Sequence, residues 1–390
     1  MTLNFELSDE QRTLQDTVDQ ICAPFDDEYW TRCDREATFP HEFFEALAEG
    51  GWIGIAMPEE YGGAGLGITE AAILMHRIGR CGGAMAACSA VHINIFGPHP
   101  IVVHGTGEQK RRWLPKLASG EEKTCFGVTE PNAGLDTGRL QTRADKVDGG
   151  YVITGQKIWT STAQVADNIL LITRTTPREE CAKSTDGLTL FYTKLDRKKI
   201  EIRRIEKMGR AAVDSNQIYI DGLFVSDDER IGEEGKGFRY LLHGLNPERI
   251  VNAMESVGIG QDALARGTRY ASERVVFDRP IGQNQSVAHP LAQSWVELEA
   301  AYLMALKAAT LYDQGKPCGL EANTAKLLAS EAGYNAAHRA FLTLGGMGYA
   351  KEFQVERLLR EVIVNRTAPV SSNMILNFIA ERALGLPKSY

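Results

Sequence analysis

The chain has 390 residues, 43% of them hydrophobic, and a formal net charge of −8. That length exceeds what one ordinary core serves, so two or three domains, or one large composite unit, are predicted. Lys and Arg are spread along an acidic chain, which excludes nucleic acid as the main partner, and seven cysteines without a C-x-x-C spacing exclude a disulfide framework or zinc cage.

The N-terminus, MTLNFELSDEQ, is polar and lacks the basic region and apolar core of a signal peptide. No apolar run approaches the roughly 20 residues of a bilayer span, so no membrane insertion and a cytoplasmic location are predicted. LSDEQRTLQDTVDQI opens with Ser8 as N-cap and Gln11 three residues on, a capping box ahead of a helical repeat. HEFFEALAEGG and TEAAILMHRIGR repeat the helical period and end near glycines, and KRRW (110–113) reads as a solvated helix face. A helical domain over 1–122 follows.

Over 123–235 the texture changes. GYVITGQKIWTS, NILLITRTT, GLTLFYTKL and NQIYIDGLFV are short, β-branched and aromatic, the mark of an antiparallel β domain. From 236 to 390 long alanine-rich helical stretches return and predict a four-helix-bundle domain. The fold class is therefore α+β, with helices, then strands, then a bundle. No linker separates the parts, so the helical domains should pack on each other with the β domain wedged between them.

Several motifs fail. GIGQDA (258–263) matches G-x-G-x-x-A but follows a helical stretch, not a strand, and reads as small residues at a helix contact. There is no P-loop, G-x-S-x-G or H-E-x-x-H, and His99 and His104 read as ordinary side chains, so no metal is predicted. In LNPERIVNAM (245–254), Pro247 suits the first position of a helix, which would place Glu248 at the positive end of the helix dipole.

Other segments are weak singly and specific together: CFGVTEPNAGLDTG, GQKIWTST, KMGRAAVDSNQIYIDGLFV, RVVFDRPIGQNQ, LGGMGYAKEF and VERLLREVIVN, in that order. They resemble the acyl-CoA dehydrogenase family over nearly the whole chain. The resemblance implies FAD bound without a Rossmann fold, and a homotetramer built as a dimer of dimers. Phe126, Val128 and Thr129 would lie along the isoalloxazine, Trp159 would pack on it, and Ser161 would set a hydroxyl near N5. Arg274, Phe277 and Gln285 would reach the pyrophosphate and adenosine of FAD held mainly by a neighbouring subunit, an arginine fork suiting phosphate. Gly346 would allow close backbone approach.

The resemblance implies a glutamate that removes the α-proton of an acyl-CoA thioester while hydride leaves for the flavin. The usual Tyr-Glu-Gly-Thr segment falls on Ala368, Pro369, Val370 and Ser371, and proline is no base. A minority of the family, of the isovaleryl-CoA and long-chain type, keeps the glutamate before an arginine, here Glu248 and Arg249. Leu245, Asn246, Arg249 and Ala368 would line the substrate, Ala368 widening the pocket. Leu135 stands for a usual serine and Leu342 for a usual glutamine on the cofactor side, where Ser371 also falls. An electron-transferring flavoprotein is the implied acceptor. The rival readings are an oxidase or monooxygenase on the same fold, or a scaffold with a compromised site.

Overall fold

A computed structural model describes residues 6–389; the first five residues of the N-terminal stretch lie outside it. Seven helices come first: α1 (Asp9–Cys22), α2 (Asp27–Glu36), α3 (His41–Glu49), α4 (Ile68–Arg80), α5 (Ala84–Phe96), α6 (His99–His104) and α7 (Gly107–Ala118). The capping box is present: Gln11 N–H donates to Ser8 Oγ and the Gln11 side chain accepts from Ser8 N–H. On α7, Arg111 and Arg112 face solvent while Trp113 turns inward.

Eight strands follow: β1 (Thr124–Gly127), β2 (Arg143–Val147), β3 (Gly150–Ser161), β4 (Asn168–Arg174), β5 (Leu188–Lys194), β6 (Ile200–Arg204), β7 (Ser215–Ser226) and β8 (Arg230–Ile231). Their order is β6-β7-β3-β2-β4-β5-β8, with β1 also on β4. The sheet is mixed rather than purely antiparallel, because β1 and β2 both pair with β4 in parallel. A helix precedes β1 instead of a hairpin turn, so nothing forces β1 to reverse direction.

The last part holds α8 (Gly237–Glu273), a short hairpin β9 (Val275–Val276) and β10 (Arg279–Pro280), α9 (Gln285–Asp313), α10 (Gly319–Leu344), α11 (Val355–Val362) and α12 (Ser372–Arg382). Pro247 lies inside α8, not at its start, which corrects the helix-terminus reading of Glu248. The ring removes one N–H, so the His243 carbonyl loses its i→i−4 partner, but the buried helix carries on through it.

The three parts share one core. A single cluster joins Leu14, Phe43 and Met85 to Val213 of the β domain and to Val251, Ile259 and Val362 of the bundle. Polar clamps reinforce it. Arg266 on α8 donates from both terminal nitrogens to Asp27, at 2.7 Å each. Asp313, at the end of α9, accepts from Ile68 N–H and Thr69 N–H, capping α4, whose own N-cap is a glycine without a side chain. One correction concerns membrane spans. Ala84–His104 is a 21-residue helical stretch whose most apolar 18-residue window has mean hydropathy 1.2, but 83% of that window is buried within the fold, which makes it a core element.

Candidate active site

Glu248 is 9% exposed, and its carboxylate has no hydrogen-bonding partner among the described residues. Burial pushes its pKa up to about 7, against the pull of His92 and Arg249. Mid-helix, it gains nothing from a helix terminus. Desolvation therefore wins, and the group sits where a general base working near neutral pH belongs.

Along the same face of α8, Asn252 and Glu255 follow at i+4 and i+7, both buried. His92 of α5 places Nδ1 2.6 Å from Glu255 Oε1. Burial disfavours the imidazolium, but the Glu255 and Glu248 carboxylates outweigh it and hold the His92 pKa above its ordinary value. Asn252 Nδ2 donates to Glu255 and to Asn365, leaving its Oδ1 unpartnered. This polar stripe was missed from sequence. Its signal was present in ERIVNAMES, where Glu, Asn and Glu recur at helical spacing among apolar neighbours.

The segment around Ala368 lies against the same face. Lys326 is fully buried and donates from Nζ to the carbonyls of Asn365 (2.5 Å) and Val370 (2.7 Å). Asn365 also donates to Ser256 on α8. The 365–370 segment, with Pro369 in it, is thus tied to the side of α8 that carries Asn252 and Ser256, one turn and more beyond Glu248. Arg249 donates to Asn246 Oδ1, and its Nε is buried without a partner. Leu245 and Asn246 are half-buried, and Ala368 is exposed.

In the β domain, Ile158 N–H donates to Thr129 O, and Lys157 Nζ donates to Val128 O and Glu130 Oε1, pinning 126–130 against β3. Phe126, Val128 and Thr129 therefore stand beside Trp159 and Ser161. β3 breaks register between Lys157 and Thr160. There Trp159 has φ +62° and is 55% exposed, and Thr162 and Arg210 also adopt positive φ. Strained backbone and an uncovered aromatic at one place are the marks of a ligand platform. Arg210 Nη2 donates to Ser161 Oγ at 3.0 Å.

The remaining positions lie elsewhere. Arg274 caps the far end of α8, roughly 40 Å of helix from Glu248. Phe277, 92% exposed, projects from the hairpin beyond it, and Gln285 opens α9. Gly260 and Gly267 of α8 approach Gly333 and Ala340 of α10, so the two helices run parallel and bring Leu342 and Gly346 to that same end. A Cβ at Gly346 would meet nothing within 4 Å, so packing within the chain does not require glycine there. Leu135 is exposed, and Ser371 caps α12 through Met374 N–H. Two surface clefts, of about 430 Å³ beside Asp19 and Arg266 and about 540 Å³ beside Arg139 and Arg178, do not include Glu248.

Family models for the acyl-CoA dehydrogenase N-terminal, middle and C-terminal domains match residues 8–121, 125–223 and 235–384. The chain belongs to the acyl-CoA dehydrogenase family. Acyl-CoA dehydrogenase FadE12 of Mycobacterium tuberculosis is 35% identical to it over 99% of each chain. Benzylmalonyl-CoA dehydrogenase of Aromatoleum aromaticum is 35% identical over 92% of this chain and 94% of its own. Among solved structures, a glutaryl-coenzyme A dehydrogenase in complex with glutaryl-CoA is 31% identical, with a TM-score of 0.94 over 99% of this chain and 98% of that one. Butyryl-CoA dehydrogenase from Megasphaera elsdenii is 27% identical, with a TM-score of 0.93 over 98% and 100%. Acyl-CoA dehydrogenases are FAD-dependent oxidoreductases, and the residues of this acyl-CoA dehydrogenase fit that cofactor. Trp159 offers an uncovered ring face, and Arg274 offers a guanidinium that no side chain of the described residues engages.

Proposed function

We propose that this protein desaturates an acyl-CoA thioester between Cα and Cβ, with Glu248 as the base. The observation that carries the reading is an open, buried carboxylate with its pKa near 7, on the helix face that packs against 365–370. Bound FAD supplies the hydride acceptor, at N5. Glu248 takes the α-proton, and its ionised form is costly in this desolvated place, which strengthens it as a base. Ser161 accepts a hydrogen bond from Arg210, so its own O–H is free to donate toward the flavin. Pro369 has no N–H to offer the thioester carbonyl, so other donors carry that task. Leu245, Asn246 and Arg249 flank the acyl group, and Ala368 leaves room beside its α and β carbons. Phe126, Val128, Thr129 and Trp159 hold the isoalloxazine, while Arg274, Phe277, Gln285, Leu342 and Gly346 serve the FAD of a second copy in a tetrameric dimer of dimers. The domain limits near 122 and 235 follow the changes from helix to strand and back. Electrons pass onward to an electron-transferring flavoprotein, and the protein works in the cytoplasm.

Anaerobic bleaching of the flavin by a panel of short, medium, branched and aryl acyl-CoAs tests this. Wild type should bleach with at least one thioester, and Glu248→Gln should bleach about 10²–10⁴ times more slowly with FAD still bound. Equal bleaching by the two proteins would place the base elsewhere.

A further inference from the structure

The cleft of about 430 Å³ beside Asp19 and Arg266 is lined by two thiols that desaturation does not use, Cys22 and Cys81. Their pairing follows from the register of two helices. α1 and α4 lie side by side and run in the same direction: Gln11 Nε2 donates to Glu70 Oε1 at 2.9 Å, and about two turns further along both helices Arg77 Nε donates to Asp19 Oδ1 at 2.7 Å. One more turn at the same offset sets Cys22, the last residue of α1, opposite Cys81, the C-cap of α4. Cys22 is buried and Cys81 half-buried, so a small solute in the cleft reaches Cys81 first. The Cys22 thiol hydrogen-bonds that of Cys81, and this contact together with burial holds its pKa well above the ordinary thiol range.

All seven cysteines are free, which fits a chain without a permanent disulfide framework. Two facing thiols at an open cleft are the arrangement in which one sulfur is oxidised and its neighbour resolves it. The carbonyl end of α4 disfavours a thiolate on Cys81, and the guanidiniums of Arg77, Arg80 and Arg266 around the cleft offset that. We propose that Cys22 and Cys81 form a reversible dithiol–disulfide site that responds to peroxide. The Cys81 sulfur attacks one peroxide oxygen and the O–O bond breaks, which leaves a sulfenic acid on Cys81 and releases water. The Cys22 sulfur then attacks the Cys81 sulfur, its proton leaves with the hydroxyl as a second water, and the S–S bond forms. Two thiols thus lose two electrons and two protons, and hydrogen peroxide takes both. Exchange with a small dithiol reverses the change. Cys88 is buried on α5 and does not line the cleft, so it is not the expected partner. The closed bond ties the end of the first helix to α4, which meets α8 backbone to backbone at Gly79 and Gly258.

The test treats the FAD-loaded protein with a modest excess of hydrogen peroxide, blocks the remaining thiols with iodoacetamide before and during unfolding, and maps a non-reducing digest by mass spectrometry. The expected result is one cross-linked peptide pair, Cys22 to Cys81, with two of the seven thiols lost and both recovered after dithiothreitol. In Cys22→Ser the sulfenic acid on Cys81 should persist and be labelled by dimedone. In Cys81→Ser, Cys22 should stay reduced under the same treatment. Should either variant fold poorly, the wild-type map decides alone. Three outcomes overturn the proposal: seven thiols retained in the treated holoenzyme, a link from either cysteine to Cys88, or a Cys22–Cys81 link that forms only when peroxide is added to the urea-unfolded chain.

Discussion

Glu248 shows how burial and position together set one residue's chemistry. Its pKa of about 7 predicts that kcat/KM rises with pH along an acid limb with its midpoint near 7, and that Glu248→Gln lacks this limb. The same shift has a consequence for stability. Between the ordinary value of 4.5 and about 7 the folded protein holds a proton that the unfolded chain releases, so stability falls as pH rises through this window. Glu248→Gln removes that loss. The variant should be more stable than wild type above about pH 7, by up to about 3 kcal/mol, and the gap should close towards about pH 4. Thermal melts across that range, with FAD bound in both proteins, would show a constant offset if the prediction is wrong. The glutamate–arginine pair was legible from its residues, whereas the bonds of Arg210 to Ser89, Ser161 and Ser215 were not, because two of those serines are distant in sequence and meet it only on folding.

At the scale of elements, α8 explains the glycines that mimic a dinucleotide motif. A Cβ on Gly258 would lie 2.3 Å from the His76 carbonyl of α4, so these helices touch backbone to backbone. Alanine is the better helix former by about 1 kcal/mol, yet Gly258→Ala should cost about 1–3 kcal/mol through overpacking. Gly244→Ala on the same helix is the control. Its nearest neighbour would be His99 Cδ2 at 3.7 Å, so denaturant titration should find it neutral or stabilised by up to about 1 kcal/mol. In the sheet, Lys157 and Glu130 form a buried ion pair at 2.9 Å, and Glu130 also accepts from Gln141 and Thr142 N–H. Lys157→Met would leave that carboxylate without its cation. A loss of about 3–5 kcal/mol and weaker FAD retention are expected, because 126–130 loses its anchor. Helices and strands were readable here from their periods. The inclusion of Pro247 within a 37-residue helix was not, since local propensity favours a start there and only burial of the surrounding turns carries the helix through.

For the whole molecule, the separation of two groups of residues matters most. Arg274 ends α8 roughly 40 Å of helix from Glu248, whereas Ser161 is bonded to Arg210 in the β domain, so the function proposed above asks one FAD to be served by two copies of the chain. The exposed apolar tip formed by Val275, Val276 and Phe277 is a surface that the proposed second copy would cover. Phe277→Asp should therefore lower FAD retention and shift the assembly toward smaller species. Gel filtration with light scattering and the ratio of flavin to protein absorbance would report both. An assembly size and flavin content unchanged from wild type in that variant would count against the proposed shared site.

The amino-acid sequence by itself determined the order of helical, β and helical parts, the capping of the first helix, the rejection of GIGQDA as a nucleotide motif, and Glu248 as the base to test. These rest on local periodicity and on residue types at short spacing, which a chain carries without folding. Tertiary structure alone decided three things. Burial, not a helix end, sets the charge state of Glu248. His92 joins the polar stripe that Glu248 heads from a helix distant in sequence. The candidate cofactor residues divide between two ends of a bundle. Each depends on which surfaces lose water and which groups then meet, and that is settled only when the three parts pack on one core.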